Sequence, residues 1–386
     1  MNPSITRRRF LGDCGKTALF CAGCAIFPGV AGYGAARAAM LEKGRIGKVL
    51  SPYFTPLGNS SIRCELCPHA CEVAPGERGL CEVRENIEGK YYSLVYGNPC
   101  AVHVDPIEKK PFFHVLPGTR SFSVATAGCN FDCKFCQNWE ISQARPEETH
   151  NYELSPEKAA KSALQYNCRS IASTYVEPTI FMEYMLAMGR EARKHGVLNV
   201  MHSNGFVNPK PLADLCDVLD AACIDLKGFT ENYYREMTGG HLQPVLDTLK
   251  TLRGWGIHTE IVNLMVTGKN DDPDQVRAMC EWIFRELGPE APVHFSRFTP
   301  LYKLKSLPPT PLPTLESARK TAMAVGLEYV YIGNVYKHPG ENTYCPHCKE
   351  MVIERNGYQV SLAGFKEGKC RACGRPIRGI WDKSGA

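Results

Sequence analysis

Between Ser121 and Arg297 the chain repeats one pattern six times: a short run of apolar and β-branched residues, then a longer stretch with helical periodicity. The runs are "SFSVATAG", "SIASTYV", "LNVMHSNG", "AACIDLKG", "HTEIVNLMV" and "VHFSRF". Between them lie segments such as "SPEKAAKSALQYN", "PTIFMEYMLAMGREARKHG", "LQPVLDTLKTLRGWG" and "PDQVRAMCEWIFRELG". Near-continuous apolar strands joined by helices are the mark of a parallel sheet, because parallel neighbours need a crossover and the helices cover the strands. Right-handed crossovers repeated this often predict an α/β fold, a partial (β/α)6 barrel of TIM-like kind. Its functional groups are expected on the loops after the strands' C-terminal ends. The flanks read differently. Residues 39–120 are punctuated by Cys, Pro and Gly and predict a small N-terminal Cys-rich module. The barrel is expected over 121–306, with a linker plus a last helix and strand over 307–343 and a separate tail over 344–386.

Most of the nineteen cysteines fall into three tight sets, a spacing that indicates metal ligation rather than disulfides. The first strand runs into "GCNFDCKFCQNW", where Cys129, Cys133 and Cys136 are separated by three and then two residues. Three thiolates can hold three irons of a cubane cluster and leave the fourth open, and an open position is what separates a catalytic metal site from a structural one. Tetrahedral zinc needs a fourth ligand, which the following "QNWEIS" does not offer. The tail pairs Cys345 and Cys348 with Cys370 and Cys373, the spacing of a four-cysteine zinc ribbon, with rubredoxin-type iron as the alternative. Upstream, Cys64, Cys67, Cys71 and Cys81 can close either a zinc site or an auxiliary iron–sulfur cluster, with His69 as a spare ligand. The isolated Cys100, Cys168, Cys216, Cys223 and Cys280 read as small buried apolar residues.

Other strand ends carry polar groups. Glu177 in "TYVEPT" is either a partner for an ammonium group or a carboxylate at a helix start. Ser203 and Asn204 in "HSNG" can hydrogen-bond a ribose or a carboxylate, although Asn-Gly is also a turn signal. Lys227 in "DLKG" requires a partner, either Asp225 or a ligand carboxylate. Asn263, His294 and Arg297 follow or lie on the fifth and sixth strands, where a histidine such as His294 is more often a satisfied core residue than a catalytic one.

The formal charge of +5 is concentrated at the start: five bases and one acid within residues 1–38 give +4. The remainder is nearly neutral, which gives no case for nucleic acid or an anionic membrane. "TRRRFLG", an apolar stretch from Thr17 to Val30 and the small-residue site around Ala36 and Ala38 resemble a twin-arginine export signal over 1–38. That implies an exported, periplasmic protein with no stable membrane anchor after cleavage. An uncleaved leader on a cytoplasmic protein is the alternative.

The Cys129, Cys133, Cys136 pattern with Phe135 before the last cysteine resembles the signature of the radical S-adenosylmethionine superfamily. Together with "CELCPHAC", "YVEPTIF", "IDLKGF" and the tail "YCPHC…CRACG", the chain resembles the AmmeMemoRadiSam system radical SAM enzymes, relatives of pyruvate formate-lyase activating enzymes. The resemblance implies a 4Fe-4S cluster, S-adenosyl-L-methionine bound by its amino and carboxylate groups to the open iron, and a reducing electron donor. It implies cleavage to a 5'-deoxyadenosyl radical that abstracts hydrogen from a substrate. It also implies association with Memo-like and AMMECR-like proteins. On this basis Glu177, Ser203, Asn204, Lys227 and Asn263 are the candidate cofactor-binding residues. Tyr175 and Val176 depart from the resemblance, standing where the superfamily usually has paired glycines. Two further readings are activation of a glycyl-radical protein and a non-catalytic protein that relays electrons or docks partners.

Overall fold

The computed structural model describes residues 41–381, so the export-signal reading lies outside it. Its centre is one eight-stranded mixed sheet. The strands are β1 (Ala101–Pro106), β2 (Arg120–Ala125), β3 (Cys168–Ser173), β4 (Leu198–Ser203), β5 (Ala221–Asp225), β6 (His258–Met265), β7 (Val293–Arg297) and β8 (Val330–Gly333). They stand in chain order across the sheet, parallel from β2 to β8, with β1 antiparallel on the edge beside β2. β1 and β8 do not pair, so the sheet is open. The α/β expectation holds, and the sheet gains two strands over the six repeats: β8 from the expected terminal strand, and β1 from within the Cys-rich stretch. β1 escapes the pattern because it lies on an edge, with only Asp105 buried among its six residues, and so shows no buried apolar run.

Seven helices of eight or more residues connect the strands: α1 (Pro156–Gln165), α2 (Met182–Lys194), α3 (Pro209–Cys216), α4 (Glu231–Thr238), α5 (Leu242–Gly254), α6 (Pro273–Leu287) and α7 (Leu312–Val325). Their starts follow helix chemistry. Ser155 caps α1 by accepting from the Lys158 amide, Thr230 caps α4 and Asp272 caps α6, with proline in the first turn of α1 and α6. The expected helix from Pro178 begins instead as a 3-10 turn, Pro178–Phe181, before α2 continues it.

Strand periodicity sorts side chains cleanly between the two faces. Ile171, Met201, Ile224, Ile261 and Phe295 pack with buried residues of the helices in the main core, whereas Ala172, Leu198, Val200, Cys223 and Val262 form a second cluster on the other face. That second face is covered by a loop segment, from which Ile107, Phe112, Val115 and Leu116 enter the cluster, with Ile380 of the tail packed against them. The segment is fastened by polar groups. Glu260, fully buried on β6, accepts from the amides of Phe113 (2.9 Å) and His114 (2.8 Å) and from His294 Nε2 (2.8 Å). Burial opposes its charge, yet these donors and the neighbouring imidazoles hold its carboxyl well below the usual range.

His114 lies at the base of this network. Its Nδ1 is 2.7 Å from the Arg378 carbonyl, which can only accept, so Nδ1 carries the proton and Nε2 accepts from the Tyr331 hydroxyl at 2.6 Å. Burial pushes its pKa down to about 3, with Glu260 opposing and His258 and Arg355 assisting. A buried neutral histidine contributes stability that is complete above its unfolded pKa of about 6.5 and is lost as pH falls toward the folded value. From pH 6.5 to 5, the unfolding free energy from urea titrations is expected to fall by about 1.7 kcal/mol more in wild type than in His114→Phe. Equal slopes would contradict the assignment.

Candidate active site

The loop after β2 carries Cys129, Cys133 and Cys136, and its backbone is held on three sides. Asp132 and Lys134 donate their amides to the carbonyls of Thr238 and Met237 at the end of α4, each at 3.0 Å, and Gln143 Nε2 donates to the Phe131 carbonyl at 3.0 Å. Gly128 adopts φ +86, and a Cβ there would stand 2.5 Å from the Cys81 carbonyl oxygen. Only glycine permits that approach. The Phe131 amide points at Cys129 Sγ (3.5 Å), and Cys136 Sγ lies 3.3 Å from the Ser142 hydroxyl. Burial pushes the Cys129 and Cys133 thiols up, Cys133 to about 12, so ligation has to release protons.

Four of the sequence-derived residues gather around this loop. Glu177 follows β3 and is 2 % exposed; it accepts from the Thr179 amide (3.0 Å), the Ser203 hydroxyl (2.8 Å) and the Asn204 amide (2.7 Å). It therefore caps the turn at Pro178 and also locks that turn to the loop after β4. Asn204 Nδ2 donates to Asn130 Oδ1 (2.8 Å), and Asn130 in turn donates to the Phe206 carbonyl (3.0 Å), which ties the β4 loop to the cysteine loop. Lys227, beyond β5, pairs with Asp225 (2.8 Å) and extends over the Phe135 ring (5.7 Å), within electrostatic reach of Cys133. Asp225 also binds His202 Nε2 (2.8 Å). Burial disfavours the Asp225 charge, but Lys227 and His202 hold its carboxyl well below the usual range. The arrangement is a string of polar side chains along the C-terminal edge of parallel strands, beginning at three thiols.

Asn263 and the β6–β7 residues lie elsewhere. Asn263 shares the helix-facing side of β6 with Ile261, donating to the Leu226 carbonyl (2.7 Å) and toward Met279 Sδ (3.7 Å) of α6. His294 is bound to Glu260, and Arg297 Nε donates to the Thr310 carbonyl at 2.9 Å. Asn130 and His202 were not singled out by sequence, because an asparagine inside a cysteine loop and a histidine at a strand end carry no pattern until their partners are known. Tyr175 adopts φ +67, the left-handed region that favours glycine. Its hydroxyl binds Asp105, Lys110 Nζ lies 4.0 Å from its ring centroid, and its carbonyl accepts from Asn138 Nδ2 (2.7 Å). The backbone keeps a glycine-like conformation although the side chain is large.

The tail is a compact metal-binding group. Cys345 and Cys373 Sγ are 3.6 Å apart, as are Cys348 and Cys370 Sγ, and all four lie within 4.8 Å of one another. Tetrahedral thiolates at about 2.3 Å from one ion stand about 3.8 Å apart, so the four fit a single metal. No helix among the described residues is long and apolar enough to cross a membrane.

Three neighbouring thiols on a loop at the C-terminal edge of an open parallel sheet define a cluster-binding α/β protein. The profile of the radical SAM superfamily matches residues 123–283, which contain the three cysteines and most of the polar edge. An uncharacterized protein of Methanocaldococcus jannaschii is 44 % identical over 327 residues, covering 84 % of this chain and 97 % of that protein. The pyruvate formate-lyase 1-activating enzyme of Escherichia coli is 25 % identical over 181 residues, covering 45 % of this chain and 71 % of that enzyme. Among solved structures, a radical SAM methyltransferase from Sphaerobacter thermophilus aligns with a TM-score of 0.46 at 12 % identity, over 72 % of this chain and 76 % of that one. The chain belongs to the radical SAM superfamily, whose members use a 4Fe-4S cluster and S-adenosylmethionine.

Cys373→Ala is expected to lower the bound metal by about one ion per chain and to lower the melting temperature, whereas Cys168→Ala, at an isolated buried thiol, should release none. Metal release from Cys168→Ala, or none from Cys373→Ala, would contradict the tail site.

Proposed function

We propose that the chain is a radical enzyme that holds a 4Fe-4S cluster through Cys129, Cys133 and Cys136 and cleaves S-adenosylmethionine reductively. The observation that carries this reading is the three-thiol loop on the strand edge, with Lys227, Glu177, Ser203 and Asn204 gathered round it and no fourth thiol in the loop. When bound, the cluster and S-adenosylmethionine supply a one-electron cleavage of the sulfonium, giving methionine and a 5'-deoxyadenosyl radical that takes hydrogen from a substrate. The chain's own residues position and shield. Lys227 presents its ammonium toward the loop for a carboxylate, while Asp225 holds that ammonium charged. Glu177 fixes the two loops on which Tyr175 and Asn204 present backbone and side-chain polar groups. The segment carrying Phe112 and Val115 closes the far face of the sheet and keeps water from it.

The tail group suits zinc, since four sulfurs at tetrahedral separation match a closed structural site. The electron comes from a low-potential donor, and Memo-like and AMMECR-like proteins are the proposed partners. The leader is read as a working twin-arginine signal; exporting a reporter fusion should depend on Arg7 and Arg8, and unaffected export of an Arg7→Lys, Arg8→Lys fusion would remove that reading. Similarity to a pyruvate formate-lyase activating enzyme supports a second reading, in which the substrate is a loop of a glycyl-radical protein.

Anaerobically reconstituted and reduced protein is expected to form 5'-deoxyadenosine from S-adenosylmethionine, and Cys133→Ala to reduce this to background. Lys227→Ala should retain the cluster absorbance and weaken S-adenosylmethionine binding about 10- to 100-fold. If wild type with an intact reduced cluster forms none, the protein is a relay or docking module instead.

A further inference from the structure

The upstream cysteine quartet has no part in that chemistry. Cys64 lies at the end of a three-residue strand, Ile62–Cys64, and its amide donates to the Cys71 carbonyl at 2.9 Å, so the chain doubles back to bring the two together. Cys67 is buried with its sulfur in electrostatic reach of Cys64, Cys71 and Cys81. Tyr91, 1 % exposed, packs beside the same cysteines, its hydroxyl and Cys71 Sγ both bordering Gly79. The four sulfurs therefore face one buried volume.

Fully buried Arg84, held by Glu183 at 2.9 and 2.6 Å, lies beside Cys64 and Cys81. All four cysteines are free thiols, and four free thiols converging on one place are the donor set of a metal centre rather than of disulfides.

Sulfur spacing tells which kind. Among the described residues the tail is the one set of three or more potential ligands whose atoms all lie within 4.8 Å of one another. The tail shows that a single-ion site in this chain takes that compact form, close to the spacing of about 3.8 Å that one tetrahedral ion imposes. No three sulfurs of the upstream quartet are that close, and neither are Cys129, Cys133 and Cys136, whose expected cluster places each sulfur on a different iron. The quartet follows the wider pattern of the triplet and departs from that of the tail.

We infer that Cys64, Cys67, Cys71 and Cys81 ligate a second iron–sulfur cluster, packed directly against the loop that holds the first. Its neighbourhood is fixed by two contacts. The Cys81 carbonyl meets Gly128, one residue or about 3.8 Å of chain before Cys129, and His69 Nε2 lies 2.7 Å from the Asn130 carbonyl. The second cluster is fully ligated by protein and so has no open iron, which separates its role from that of the first.

The inference shares the cysteine assignment of the proposed function but is tested separately from it. The full chain and two variants are reconstituted with iron and sulfide, and iron, sulfide and zinc are counted per chain. The replacement of Cys129, Cys133 and Cys136 by alanine is expected to leave about two to four irons with matching sulfide. It should also leave a reduced-state paramagnetic signal that S-adenosylmethionine does not alter. Replacing Cys67 and Cys81 by alanine should remove that signal and keep the one that responds to S-adenosylmethionine. Zinc should stay near one per chain throughout. Wild type holding about two zincs, with a triplet variant free of iron and sulfide, would overturn the inference. The triplet variant leaves the quartet untouched, so the result stands even if the quartet variant fails to fold. A wild type with both clusters but no 5'-deoxyadenosine would overturn the proposed function and leave this inference intact.

Discussion

A parallel sheet whose helices all cover one face leaves its other face and its C-terminal edge free, and the chemistry here depends on that asymmetry. Because β2 to β8 run parallel, every strand delivers its following loop to the same edge. Cysteines after β2, Glu177 after β3, Asn204 after β4 and Lys227 after β5 come from positions spread over about a hundred residues, yet they meet without any long-range design beyond strand direction. The opposite face is closed by a short segment together with Ile380 of the tail, and the polar network around Glu260 and His114 fastens the segment.

Three inward carboxylates share one arrangement, each met by donors from other parts of the chain: Glu177 by Thr179, Ser203 and Asn204, Asp225 by His202 and Lys227, Glu183 by Arg84. Removing one partner leaves an uncompensated charge, which costs about 3–5 kcal/mol where burial is complete. These pairs therefore fix loop positions that the thin connections between strands and helices would leave free. In the tail, the four cysteines of the Cys345 group draw together small strands that have little core of their own.

The strand–helix repeats and the spacing of the three cysteine sets were legible in the sequence, because each depends on spacing along the chain. What escaped depends on contacts across it. β1 hides in an edge strand with polar exposure. Asn130 and His202 gain meaning only from Asn204 and Asp225, 74 and 23 residues away. Asn263 illustrates the converse: its position near a strand end suggested the site, while the two-residue period of β6 turns it to the helices. Tyr175 shows a backbone conformation outlasting the residue type that usually adopts it.

The central claim is that one iron held by the Cys129 loop is open to S-adenosylmethionine. Electron–nuclear double resonance on the reduced protein, with the cofactor labelled by nitrogen-15 at its amino group, reads that contact directly. An open iron predicts a nitrogen-15 coupling to the cluster that disappears in Cys133→Ala. A reduced, intact cluster in wild type that shows no coupling to bound cofactor would contradict it.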